Sequence, residues 1–160
     1  MSPAVKISEQ LLTAGRRALA YVGGVQRVSV LVIEENAAEA ALVAAALALR
    51  PEVQVIDAPD LPGALERLQT PAVPVGLAIV GARALGGSTA ELVGRLGAKG
   101  VPVVAIAAGL AADARQKALD TGVREVYDRP SDWRAYADLI ESVMSRFIQT
   151  DSPPRPTRPS

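Results

Sequence analysis

Five short runs rich in β-branched residues recur along this chain: Arg27–Ile33, Val53–Ile56, Gly76–Val80, Val101–Ile106 and Val123–Tyr127. Runs that are short, apolar and Val-rich predict strands buried on both faces. A helix-forming stretch lies between each strand and the next, and strands so separated pair in parallel through right-handed crossovers. The expected fold is therefore α/β: a doubly wound five-stranded parallel sheet of order 2-1-3-4-5. Functional residues of such a sheet gather where the carboxyl ends of its first and third strands diverge. Here that point falls on Glu34–Asn36 and Gly81–Thr89.

Capping patterns mark the helices. Asn36-Ala-Ala-Glu39 is a capping box opening an Ala/Leu-rich helix to about Leu49, and Ser88-Thr-Ala-Glu91 is a second, starting a helix through Gly97. Asp60 begins a helix carrying Leu61, Leu65 and Leu68, and Gly122 closes one over Asp113–Thr121. Ser131 is expected to cap the last helix, with Trp133, Tyr136, Ile140, Val143, Met144 and Phe147 on its apolar side. Ahead of the first strand, residues 7–22 predict an extra helix: Ser8 caps it, Leu11, Ala14, Ala18 and Tyr21 share a face, and Gly23-Gly24 ends it. The expected organisation is a helical extension over 1–26, one domain over 27–148, and a disordered Pro-rich tail over 149–160.

Composition removes several function classes. With no Cys and no His, the chain has no thiol nucleophile, disulfide, zinc-finger site, Ser-His-Asp triad or phosphohistidine. Seventeen basic residues balance seventeen acidic ones, so no broad positive field awaits nucleic acid or an anionic membrane. Aromatic residues are 3 % of the chain, so the core falls to Ala, Val, Leu and Ile. No basic segment followed by an apolar stretch marks a signal peptide, and the longest apolar runs are about half the ~20 residues of a membrane span. A cytoplasmic location is the default expectation.

Three segments resemble the response-regulator receiver family, in order and at family-like spacing across residues 27–148: VLVIEEN (Val30–Asn36), VPVVAIAA (Val101–Ala108) and ALDTGVREVYDRP (Ala118–Pro130). The resemblance implies the flavodoxin-like receiver fold, with an extra N-terminal helix in this chain. It also implies a phosphorylation site in which an acidic pair after the first strand binds Mg²⁺. A third-strand Asp would accept a phosphoryl group, contacted by a Thr or Ser after strand 4 and a Lys before a Pro, with a strand-5 aromatic as rotor. On this sequence the acidic pair falls on Glu34 and Glu35, the acceptor on Gly81, the hydroxyl on Ala107, the lysine on Arg129 and the aromatic on Val126, with Tyr127 one residue late. Glycine can form no acyl phosphate, and no Asp or Glu lies between Glu66 and Glu91 to replace it. The resemblance is thus to a degenerate, pseudo-receiver form.

The remaining polar residues carry two readings each. Glu34 and Glu35 either hold a weakly bound cation or, as favoured, Glu34 pairs with Arg129. Gly81–Thr89 echoes a phosphate-binding loop, with Gly86, Gly87, Ser88 and Thr89 as candidate anion ligands, but Gly87 stands where that motif needs Lys. The plainer reading is a Gly-rich turn. The N-terminal helix covers a flank or meets a partner, and Pro153-x-x-Pro156 is a polyproline ligand or simply part of a solubilising tail. The expected function is a phosphorylation-independent adaptor or regulator with no cofactor, catalysis or metal. Its protein partner or homodimer would meet the N-terminal helix or the fourth-helix, fifth-strand, fifth-helix face, through Arg115, Arg124, Tyr127, Trp133 and Tyr136. A nucleotide- or phosphate-ligand sensor using Gly81–Thr89 is the alternative.

Overall fold

The structure, a computed structural model, describes residues 20–22, 25–69, 74–85 and 89–148. Its strands are β1 (Ala20–Val22), β2 (Val25–Ile33), β3 (Val53–Ala58), β4 (Val75–Val80), β5 (Val103–Ala107) and β6 (Glu125–Asp128). The last five are parallel in the spatial order β3-β2-β4-β5-β6, the 2-1-3-4-5 order expected. Leu31 stands at the centre of the register, beside Ile56 on one side and Ala78 on the other. Four helices connect the parallel strands, α1 (Ala37–Leu47), α2 (Leu61–Arg67), α3 (Thr89–Gly97) and α4 (Ala112–Thr121), and α5 (Trp133–Phe147) follows β6.

Side chains alternating along β2 divide the core into two layers. Val28, Val30 and Val32 pack with Val43 and Leu47 of α1 and Ile140, Val143 and Met144 of α5. Leu31 and Ile33 point the other way, to Ala64 of α2, Leu92 and Leu96 of α3 and Ala118 of α4. Fully burying each such Leu or Ile stabilises the fold by roughly 1.5–3 kcal/mol before chain entropy is counted. Both faces of the sheet are therefore closed, and polar chemistry is confined to strand ends.

Three local expectations need correcting. The helix predicted over 7–22 does not reach Val22: Ala20–Val22 is a strand, antiparallel to the start of β2, with Ala20 beside Arg27. Backbone pairing outweighs the helical spacing of Tyr21 there, and it carries the sheet back beyond the boundary expected at residue 27. The rest of that helix, and the tail over 149–160, lie outside the described residues. Second, the last helix is capped by Asp132, not Ser131; its Oδ2 accepts from Ala135 N at 3.2 Å. Third, the capping box at α1 is only half made. Asn36 Oδ1 accepts from Ala38 N and Glu39 N at 2.9 and 3.1 Å, but Asn36 N donates to Glu34 Oε1 at 3.0 Å instead of to Glu39. Gly122 closes α4 as expected, in the left-handed region at φ 115°.

Candidate functional site

The carboxyl ends of β2, β4, β5 and β6 bring Glu34, Gly81, Ala107 and Arg129 to one end of the sheet. Glu34, Ala107 and Arg129 border a cleft of about 210 Å³ with Asn36, Glu39 and Arg83. Gly81 is buried, and its N–H donates to Ile33 O at 3.0 Å. A Cβ placed on it would lie 2.7 Å from Glu34 Cδ and closer still to Oε2. Glu34 thus bends over Gly81 and fills the volume in which an acceptor side chain would begin. Ala107, in the hydroxyl position, is buried and accepts the backbone N–H of Arg129 at 3.1 Å.

The pair expected between Glu34 and Arg129 is not formed. Arg129 Nε lies 2.6 Å from Glu39 Oε2, with about a third and a quarter of the two side chains exposed. The approach is close but poorly aligned, so the buried Nε makes an ion pair without a hydrogen bond. Glu39 is available for this because Glu34 has taken over the Asn36 N–H. Nothing local in the sequence points to Glu39, since its partner is ninety residues away. Glu35 faces Arg83 at 3.3 Å, but both side chains are more than half exposed, so that pair contributes under about 1 kcal/mol. Beneath the cleft, burial pushes the Tyr136 phenol up to about 12, with Glu39 adding to the effect, Arg129 opposing it and Glu34 adding a little more.

These residues do not fit the Mg²⁺ that the family resemblance implies. A hard divalent cation needs several converging oxygens. Gly81 offers no carboxylate, Glu35 is drawn outward to Arg83, and Glu34 accepts from Asn36 N. Among the described residues no group of three or more potential metal ligands gathers.

Ala82–Leu85 coils into a single 3-10 turn, and Thr89, the first residue of α3, is 4 % exposed. Gly86, Gly87 and Ser88 lie outside the described residues.

Of the expected interface residues, Tyr136 is corrected: at 3 % exposure it belongs to the core with Ile140 and Val143. Arg115 is committed within the chain, donating to Val126 O at 2.6 Å and to Asp128 Oδ1 at 2.7 Å. Tyr127 is half-buried, and desolvation followed by its hydrogen bond with Glu125 pushes it up to about 12. Arg124 and Trp133 are exposed, Trp133 by 43 %.

No family model and no curated protein matches the chain. Solved structures do. The phosphorylated cyanobacterial phytochrome response regulator RcpA superposes with a TM-score of 0.65 at 16 % identity, over 81 % of this chain and 99 % of its own. A response regulator receiver protein from Burkholderia phymatum gives 0.61 at 22 % identity, over 79 % and 100 %. A response regulator from Thermotoga maritima gives 0.61 at 18 % identity, over 74 % and 98 %. The strand order, the two-sided helical cover and these superpositions agree that the chain has the fold of the response-regulator receiver domains.

Proposed function

We propose that this chain is a pseudo-receiver of bacterial two-component signalling: a cytoplasmic adaptor or regulator that works through protein contacts, without accepting a phosphoryl group and without catalysis of its own. One observation carries the reading. The place where a receiver's phosphorylated side chain would begin is Gly81, and Glu34 already fills it. Two further departures support it. Ala107 has no hydroxyl to follow a phosphoryl group, and Arg129 is held by Glu39 on α1.

The surface left for a partner or a second copy is the face of α4, β6 and α5, where Arg124 and Trp133 remain exposed and Tyr127 half-buried. Trp and Arg concentrate binding energy at interfaces when they become desolvated. The alternative of an anion sensor at Gly81–Thr89 draws less support, because Ala82–Leu85 is wound into a turn and Thr89 is buried. Incubation with acetyl phosphate and Mg²⁺, followed by intact mass, is expected to leave the mass unchanged. Beryllium fluoride with Mg²⁺ is expected to leave the amide spectrum unchanged. A gain of one phosphoryl mass on a carboxylate would falsify the reading.

A further inference from the structure

The parallel sheet has two outer strands, β3 and β6, and they are guarded differently. β6 is four residues long, and its Glu125 and Asp128 are paired with Arg146 and Arg115. Shortness and charge are common means of keeping a strand edge from pairing. β3 is six residues long, reads VQVIDA, and carries one charge, Asp57, with no Lys, Arg or Pro within it. Among the described residues its only strand partner is β2.

Backbone groups alternate in direction along a strand, which identifies what that edge offers. Glu52 O and Ala58 O accept from Val28 N and Glu34 N at 3.0 and 3.1 Å, so the even-numbered residues of β3 turn their polar groups to β2. The odd-numbered ones, Val53, Val55 and Asp57, turn theirs outward. Val53 N donates to Arg50 O at 3.1 Å. The Val55 and Asp57 N–H groups and all three carbonyls are left without a partner among the described residues. These positions are symmetric about Val55. A second copy laid antiparallel, with its two-fold axis at Val55, pairs Val55 with its own counterpart and Val53 with the second copy's Asp57. That register uses every outward position, whereas centring it on Asp57 would set two carboxylates opposite each other.

The helix above this edge is shaped for the same arrangement. α1 packs on β2 and β3. Glu39, beside Tyr136, marks the flank that meets α5. By helical periodicity Ala37, Ala41, Ala44 and Ala48 lie on the opposite flank, toward the β3 edge, and all but the half-buried Ala44 are exposed. With strands about 4.8 Å apart, a helix over the β2–β3 seam stands about 10 Å from its copy across that axis. Helices pack at about 8–10 Å, and small side chains let them approach that closely. We propose that the chain forms a two-fold homodimer by joining β3 strands edge to edge, with the alanine flanks of α1 meeting above the join. This goes beyond the pseudo-receiver reading and leaves the face of α4, β6 and α5 free for a partner.

Sedimentation of the full chain over about 10–1,000 µM should show a dimer with a Kd of about 1–100 µM. Asp57→Pro removes an outward N–H but no bond to β2 and no buried side chain, and Pro is tolerated at such edge positions. It should weaken the dimer at least about tenfold, as should Ala41→Lys, which sets a long charged chain between the two α1 helices. The same change at exposed Ala90 of α3 should alter Kd by less than about twofold. Amide exchange locates the contact. Val55 and Asp57 N–H should exchange at least about tenfold more slowly in the wild-type dimer than in Ala41→Lys, while Gln54 and Ile56 stay protected in both. Amide spectra report whether each variant keeps the fold; if Asp57→Pro does not, Ala41→Lys and the exchange pattern decide. The proposal is overturned if the chain stays monomeric up to about 1,000 µM. A dimer that Ala41→Lys leaves intact overturns it equally. Val55 and Asp57 protected to the same degree at every concentration would mean that the chain's own residues cover the edge, and the second copy would be ruled out. The phosphodonor experiment decides the pseudo-receiver reading separately, so failure of the dimer and failure of that reading are distinguishable.

Discussion

Glu34 occupies the space that any side chain at residue 81 would need: a Cβ there falls 2.7 Å from Glu34 Cδ. Neither backbone is free to step aside. Gly81 N is bonded to Ile33 O at 3.0 Å and Glu34 N to Ala58 O at 3.1 Å, both continuing the hydrogen-bond ladder of the parallel sheet. The only yielding part is the Glu34 carboxylate, which is held by Asn36 N–H at the mouth of α1. Absence of an acceptor and presence of a bent-over glutamate are thus one structural fact.

Gly81→Ala should therefore destabilise the fold although Gly81 has no unusual backbone conformation. The methyl group pushes Glu34 away from Asn36 N–H, and overpacking of this kind costs about 1–3 kcal/mol. Trimming Glu34 should relieve it: in Glu34→Ala the second change Gly81→Ala is expected to cost under about 0.5 kcal/mol. Urea melts of the four proteins measure the coupling. Equal costs in both backgrounds would show that Glu34 does not fill the site.

Restoring the acceptor alone should not restore switching. Gly81→Asp places a second carboxylate against Glu34, and like charges that close disfavour each other. Even if the aspartate were phosphorylated, Ala107 has no hydroxyl to follow the group and Arg129 is engaged by Glu39. Sedimentation with and without acetyl phosphate is expected to show the same oligomeric state. Phosphorylation-dependent dimerisation of the single variant would mean that the missing residues are dispensable.

The sheet was legible in the sequence because its signal is local: Val-rich runs of strand length, separated by capped helices. The strand at Ala20–Val22 was not, since Tyr21 continues the helical spacing of Leu11, Ala14 and Ala18, and a three-residue strand has no periodicity of its own. Glu39 was hidden for a different reason. Its place three residues after Asn36 predicts a reciprocal cap, whereas the decisive partner, Arg129, arrives from the far end of the chain. The aromatics of α5 divide by register. Tyr136 shares the stripe of Ile140, Val143 and Met144, while Trp133 sits a turn earlier, at the helix start, and stays exposed. Residue type alone could not separate them.

Tyr136 should make stability depend on alkaline pH. Its phenol is pushed up to about 12 by burial, above the ordinary value of 10.0. Below the unfolded value both states are protonated and the contribution is whole. Above it the unfolded chain ionises while the buried phenol keeps its proton, so the native state binds more protons and stability falls as pH rises. Between about pH 9.5 and 11.5 the wild-type urea midpoint should drop further than that of Tyr136→Phe. Tyr127, also near 12, is present in both proteins and cancels in the comparison. Parallel midpoints would mean that the Tyr136 hydroxyl is not desolvated.

The last prediction concerns which carboxylate Arg129 serves. Exposed ion pairs contribute under about 1 kcal/mol, and breaking a buried one costs roughly 3–5. With a third of Arg129 and a quarter of Glu39 exposed, the pair lies between these limits. Poor alignment at Nε lowers it further. Arg129→Gln is expected to cost about 1–2 kcal/mol, by discounting the buried value for solvent screening. In the double variant Glu39→Gln/Arg129→Gln the loss should be smaller than the sum of the singles by about 0.5–1 kcal/mol, the signature of direct contact. Glu34→Gln combined with Arg129→Gln should instead be additive within about 0.3 kcal/mol, because no ion pair joins those two side chains. Urea melts of the six proteins, wild type included, decide the matter. Coupling of Arg129 to Glu34 but not to Glu39 would place the guanidinium over the emptied site.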